Sequence, residues 1–219
     1  MLLQFLLLNS VYANGNDWRL VAHDESGNIS VFYRTHQSGN IEFRGVTLLN
    51  TSLSSLVVCL KDTEAMPSWV YNMESATVLK RLSEREAFTY VVNKTPFPFS
   101  KRDSIVHTII SQDEASLAVT IKGEGVPSYL PRKEGLVRLP AVNSYWKFTP
   151  LKNGVTKIVF QGFGEPGGNI PASISKSSIF HWATEKLLWK LPMESLKNLK
   201  THIQQKKYQN VQLSFITES

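Results

Sequence analysis

Residues 171–205, PASISKSSIFHWATEKLLWKLPMESLKNLKTHIQQ, contain no glycine and space their apolar side chains as a helix does. On a wheel of about 100 degrees per residue, Phe180, Leu187, Leu188, Leu191, Leu199 and Ile203 share one broad face, and Lys186, Lys190, Lys197 and Lys200 lie opposite. Pro192 removes a backbone donor, so a kink or a split is expected there. A long amphipathic helix at this end of the chain has to bury its apolar face on whatever precedes it.

What precedes it is a series of strands. Trp18 to Ala22, Ile29 to Tyr33 and Ile41 to Leu48 are rich in β-branched and aromatic residues and are separated by Ser26-Gly27-Asn28 and Ser38-Gly39-Asn40. Ser52 to Asp62 predicts a helix capped at Thr51 or Ser52, and a second short helix is expected around Pro67 to Tyr71. Strands are then expected over 75–83, 86–94, 103–111, 116–125, 135–149 and 154–163. The links Pro96 to Lys101 and Val126 to Lys133 each hold two prolines and apolar or aromatic residues, the composition of loops packed over a sheet. Helices set apart from hairpin-linked strands indicate α+β. One helix laid across a deeply curved antiparallel sheet leaves space beneath it, and that space is a cavity.

With 219 residues, 42% hydrophobic and 19% charged, the chain lies outside the disordered and coiled-coil classes. The net charge of +6 and pI near 9.4 favour anionic surfaces. Basic runs such as Arg132-Lys133 and Lys206-Lys207 do not exceed two residues, and no zinc-finger spacing or basic heptad accompanies them, which argues against nucleic acid, and a bilayer carrying acidic lipids fits the charge equally well. Met1 to Leu8 is apolar and Val11 and Ala13 form a small-residue cleavage pattern, so residues 1–13 read as a signal peptide too short to span a bilayer. The remainder, 14–219, is expected to be one exported domain, periplasmic or secreted.

Chemistry-bearing motifs are sparse. Gly162-Phe163-Gly164-Glu165-Pro166-Gly167 matches G-x-G-x-x-G, but no strand follows to complete a βαβ unit, which leaves a glycine turn at a strand-to-helix corner. No histidine pair has zincin spacing, so no metal or other cofactor is expected. His107, in a strand, is the candidate general base if it points inward. Cys59 sits in an apolar helical segment, as a buried inert thiol would.

Taken in order, Pro96-Phe97-Pro98-Phe99-Ser100-Lys101-Arg102-Asp103, Val137-Arg138, Trp146 with Pro150, and Pro166-Gly167-Gly168-Asn169-Ile170-Pro171 resemble the landmarks of START domains, the lipid-transfer domains related to steroidogenic acute regulatory protein. The similarity spans about Trp18 to Lys206. It implies a helix-grip fold, a curved antiparallel sheet wrapped on the C-terminal helix around a hydrophobic cavity for one lipid, without catalysis. It also implies that Arg102 faces the cavity and meets a polar head group, with Arg138 as a second donor, while Tyr90, Phe97, Phe99, Trp146 and Trp182 line or close the space.

Strand alternation then turns Asp103 away from Arg102. Aligned with the family, Val92 takes the place where many relatives offer an acidic partner. An arginine without a neighbouring carboxylate calls for an anion on the ligand, which favours phospholipid over sterol. A lipid ligand, transient contact with a membrane surface and a monomeric state follow. The alternative from the wider superfamily is an enzyme of the polyketide cyclase or aromatase type, which needs His107, Tyr90 and Arg138 clustered inside the cavity.

Overall fold

The computed structural model describes residues 18–35, 41–95, 97, 99–165, 167–168 and 178–218, with the side chains of 178–188 excepted. Residues 1–13, expected to be a signal peptide, fall outside the described residues. Strands β1 (Arg19–Asp24), β2 (Ile29–Thr35) and β3 (Ile41–Asn50) form a meander that leads into helix α1 (Leu53–Lys61) and a 3-10 turn at Met66–Ser68. Seven strands follow: β4 (Met73–Ser83), β5 (Glu86–Asn93), β6 (Arg102–Gln112), β7 (Val119–Gly125), β8 (Val137–Arg138), β9 (Val142–Pro150) and β10 (Val155–Gly164). A 3-10 turn at Lys152–Gly154 joins β9 to β10, and helix α2 (Ser178–His202) and a 3-10 turn at Lys206–Tyr208 complete the described elements.

The strands form one sheet in the order β1-β2-β3-β10-β9-β7-β6-β5-β4, with β8 beside the start of β6. All pairings but one are antiparallel; the exception is the parallel β6–β8 pair. This is the α+β helix-grip architecture expected from the sequence. Two local expectations are corrected. The strand expected over 135–149 is broken at Leu139-Pro140-Ala141, where Pro140 has no donor, so β8 and β9 pair with different neighbours. The second helix expected near Pro67 is a single 3-10 turn.

Burial alternates along β10: Thr156, Ile158, Phe160 and Gly162 are buried while Val155, Lys157, Val159 and Gln161 are half-exposed. That period of two marks a sheet with one face toward the core. Helix α2 lies on that concave face over β2 and β3. It passes through Pro192 as one helix, and Met193, Leu196, Leu199 and Ile203 are buried beyond it. Gly45 lets the helix come close, since a Cβ there would lie 2.7 Å from Leu196 Cδ1 and 3.0 Å from Pro192 Cβ. The lysines opposite the buried face are engaged in part: Lys197 sits 3.3 Å from Asp24, and Lys200 donates to the Leu48 carbonyl at 3.0 Å.

Helix α1 buries Leu53, Leu56, Val57, Cys59 and Leu60, and burial pushes the Cys59 thiol up to about 12. Ser52 caps its N-terminus by accepting from the Ser55 N–H at 3.1 Å. Where α2 ends, Tyr208 donates to Asp62 at 2.8 Å, and His202 Nε2 lies 3.0 Å from the Tyr208 hydroxyl. Because that hydroxyl proton goes to Asp62, Nε2 is the donor to it, and Nδ1 accepts from the Gln205 amide 2.9 Å away.

Burial, then the nearby Lys207 cation, holds the His202 pKa below its ordinary 6.5, against the pull of Asp62. The unfolded chain therefore takes the proton first on acidification. This part of the stability is complete above the ordinary value and lost as pH falls through the lower folded one. Thermal unfolding followed from pH 7.5 to 5 is expected to show this loss, and His202→Gln to flatten it; an unchanged slope in the variant would reject the assignment.

Candidate functional site

Helix α2 covers β2 and β3, and α1 with Met66 covers part of the concave face over β4–β7 and β9. Between α1 and the sheet lies a hollow of about 110 Å³, which no described side chain of α2 lines. Its apolar wall is made by Leu60, Met66, Val78, Ala87, Ile110, Ile121 and Trp146, and Thr63, Thr89, Thr108 and Ser144 supply hydroxyls. Trp146, expected to line the cavity, does so, stacked on Phe160 at 4.0 Å and edge-on to Trp69 at 6.0 Å. Lys61, Arg81, Glu84, Arg85 and Glu86 ring the end nearest the β4–β5 hairpin.

The hollow follows from small side chains in one row. Thr108, Gly123, Ser144 and Gly162 are aligned across β6, β7, β9 and β10. The curvature is tight here, for a Cβ on Gly123 would collide with Ser144 Oγ and with Val106 Cγ1. In the next row, Ile110, Ile121, Trp146 and Phe160 fill the space with large side chains.

Arg102 begins β6 with the same parity as Thr108 and Ile110, so it belongs to the concave face. Six residues of strand separate it from Thr108, roughly 20 Å. It therefore stands at the opposite end of that face from the charged hairpin. Arg102 is half-buried, donates to the Ser100 carbonyl and lies over the Phe99 ring at 5.8 Å. Burial lowers its pKa. The register corrects the expected place of Val92: it pairs with Asp103 on the convex face, and the residue opposite Arg102 is Asn93.

Tyr90 and Arg138, expected in the cavity, are on the other side of the sheet. Asp103 is almost wholly buried there, and its Oδ2 accepts from Arg138 Nε at 3.1 Å, Arg138 Nη2 at 2.8 Å and the Tyr90 hydroxyl at 2.9 Å. Burial alone raises the Asp103 pKa, but the hydrogen bonds from Arg138 and Tyr90 prevail and hold it below the usual carboxylate range. The other guanidinium donors reach the carbonyls of Pro127, Leu130 and Pro131. Val126, Leu130 and Leu136 pack on Tyr90, Val92 and Ile105 beneath them.

The loop after β7 is thus fixed to the convex surface and does not close the hollow. His107 shares that face, stacked on Phe88 at 4.5 Å with Nε2 2.7 Å from Glu86. The acid–base set of the enzyme alternative is therefore not assembled in the hollow.

Phe99 lies beneath Arg102, whereas Phe97 is 97% exposed at the tip of its loop and lines nothing. The Trp182 side chain lies outside the described residues. What the sequence missed is the contribution of α1, whose Leu60 and Lys61 meet β4, β5 and β6 across the hollow. The signal available was only the apolar face of a short helix.

A strongly curved antiparallel sheet, a long C-terminal helix and a hollow on the concave face with a mainly apolar wall define a helix-grip protein. The START domain signature matches residues 5–205, and the chain belongs to the START domain family. It is 27% identical over 190 residues to the uncharacterized protein PA1579 of Pseudomonas aeruginosa, a match covering 86% of this chain and 88% of that one. Its fold is similar to a STAR-related lipid transfer protein fragment from Xanthomonas axonopodis, with TM-score 0.74, 29% identity, 87% of this chain and all of that one. Human StAR-related lipid transfer protein 5 shares the fold at TM-score 0.67 and 16% identity, covering 90% of this chain and 93% of that one.

Proposed function

We propose that this START domain is a non-catalytic carrier that holds one amphipathic lipid on the concave face, its tail in the hollow and its anionic or zwitterionic head toward Arg102. The observation that carries the proposal is the division of polar groups along that face. Hydroxyls and apolar side chains line the hollow, a mixed set of acidic and basic side chains rings its hairpin end, and Arg102 stands at the other end of the face. Each methylene transferred from water into such a space contributes about 0.8 kcal/mol, so the tail supplies the affinity and the guanidinium selects the head. A hollow of about 110 Å³ holds only part of a chain, so a whole lipid enters by parting the helices from the sheet.

The Phe97 loop, with Lys94 and Lys101 beside it, is the surface placed to meet an acidic bilayer while that happens. A protein that works this way acts as a monomer. The leader pattern of residues 1–13 supports a periplasmic or secreted location, and the START match overlaps it from residue 5. Mass spectrometry of protein recovered from cells decides this: an N-terminus at Asn14 supports export, and an intact Met1 removes it.

Extraction of the purified protein and mass spectrometry of the co-purified lipid test the carrier itself, with phospholipid expected in preference to sterol. Arg102→Ala is expected to lower phospholipid retention in native mass spectrometry by about tenfold with little change in melting temperature, the size of a lost charge-assisted contact. Equal retention in variant and wild type would remove Arg102 from the site.

A further inference from the structure

The tail after α2 lies past the START match, which ends at residue 205, yet it is built into the fold. Ile216 is buried, and Leu213 and Phe215 pack against the same core. A turn closed by the Ile216 N–H on the Leu213 carbonyl, at 3.0 Å, makes Phe215 its apex.

Three groups of contacts hold this turn. The Glu218 carboxylate accepts from the first backbone N–H groups of α1, Leu53 at 2.9 Å and Ser54 at 2.8 Å. Gln112, at the end of β6, exchanges two hydrogen bonds with Thr217, at 2.7 and 2.8 Å. At the apex, Arg85 donates to the Phe215 carbonyl at 3.0 Å, and the Lys61 and Arg85 cations lie 5.1 and 5.2 Å from the Phe215 ring.

Lys61 and Arg85 are the residues that matter, because both also line the hollow from opposite sides. Lys61 ends α1 and Arg85 turns the β4–β5 hairpin. The tail therefore ties the helix above the hollow to the hairpin beside it, at the end farthest from Arg102. Lys61 adds a direct ion pair to Glu84 at 2.7 Å.

We propose that residues 209–218 are a strap that clamps α1 to the β4–β5 hairpin and limits how far the hairpin end of the hollow can widen, so that a bound tail escapes slowly there. The strap rests on the carrier reading above. Without it, the Lys61–Glu84 contact is left to join α1 to the hairpin, the hairpin end widens more readily and a bound tail leaves faster.

The test compares wild type with Glu218→Gln and with Glu218→Gln/Phe215→Ser in the full chain. Each is loaded with NBD-labelled phosphatidylcholine from vesicles and chased by stopped flow with an excess of unlabelled vesicles. Hydrogen exchange at the Leu53 and Ser54 amides reports release of the tail, and the milder single variant serves if the double one loses its fold. Release is expected to be about fivefold to tenfold faster in the variants, the scale of one or two lost net contacts, with probe uptake retained. Release at the wild-type rate with those amides exposed would overturn the strap alone. Failure of the wild type to take up the probe would overturn the carrier reading and the strap with it.

Discussion

Arg138→Met is expected to destabilise the fold by about 3–5 kcal/mol, since it leaves the Asp103 carboxylate buried without its counter-charge. The same change strips the donors from the carbonyls of Pro127, Leu130 and Pro131, so the loop after β7 should loosen from the convex face. Urea unfolding gives the magnitude from the midpoint and slope. A double variant, Asp103→Leu/Arg138→Met, is expected to recover much of the loss, because replacing both charges removes the uncompensated one. Simple additivity would mean that the two groups do not form a coupled unit. Lipid retention by the folded fraction should be unaffected, as the network lies behind the sheet; a specific loss of retention would return Arg138 to the ligand site.

Gly45→Val carries the second large effect. Its first added carbon would stand 2.7 Å from Leu196 Cδ1 and 3.0 Å from Pro192 Cβ, distances that normal contacts do not reach. Either α2 moves off β3 or Leu196 leaves its place, at a cost of about 1–3 kcal/mol for overpacking. Leu196 is fully buried, so Leu196→Ala alone is expected to cost about 2–5 kcal/mol by leaving a cavity. The two changes together should cost less than their sum, because the valine occupies part of the space the leucine vacates. Thermal melting of the four proteins measures the coupling, and a double variant as unstable as the sum would reject close packing at this crossing.

Much of the fold was legible because its determinants are local. The alternation in 155–164 and the turn residues between the early strands need only their neighbours in sequence, and β10 and the first meander form where expected. The break at Pro140 was also written locally, in the missing donor, but an apolar run on either side of it masked the change of partner. Along α2 and just past its end, Leu199 and Ile203 are buried as the wheel indicated, and the buried set also includes Met193 and Leu196, which the wheel omitted. The side chains of Phe180, Leu187 and Leu188 lie outside the described residues.

The candidate site divides in the same way. The opposite orientations of Arg102 and Asp103 follow from pleat geometry alone, and the side that each occupies was indicated by the family pattern. Trp146 in the wall was likewise indicated by resemblance. The partner of Asp103 was not legible, because it depends on a two-residue parallel strand placing Arg138 alongside it from 35 positions away. Tyr90 has a residue type suited to a polar cavity, and only the register of β5 with β6 puts it behind the sheet, whereas His107 shares the parity of Asp103 within β6 and is turned outward by the pleat itself.

The sequence by itself determined that a long amphipathic helix follows an antiparallel sheet and that one arginine and one aspartate part to its two sides, since periodicity and pleat are properties of adjacent residues. The tertiary structure alone decided which side is hollow, that α1 lies over that hollow, and that the tail binds α1 to the hairpin. Those outcomes depend on contacts between residues far apart in the chain, such as Glu218 with Leu53 and Phe215 with Arg85, whose pairing no local pattern encodes.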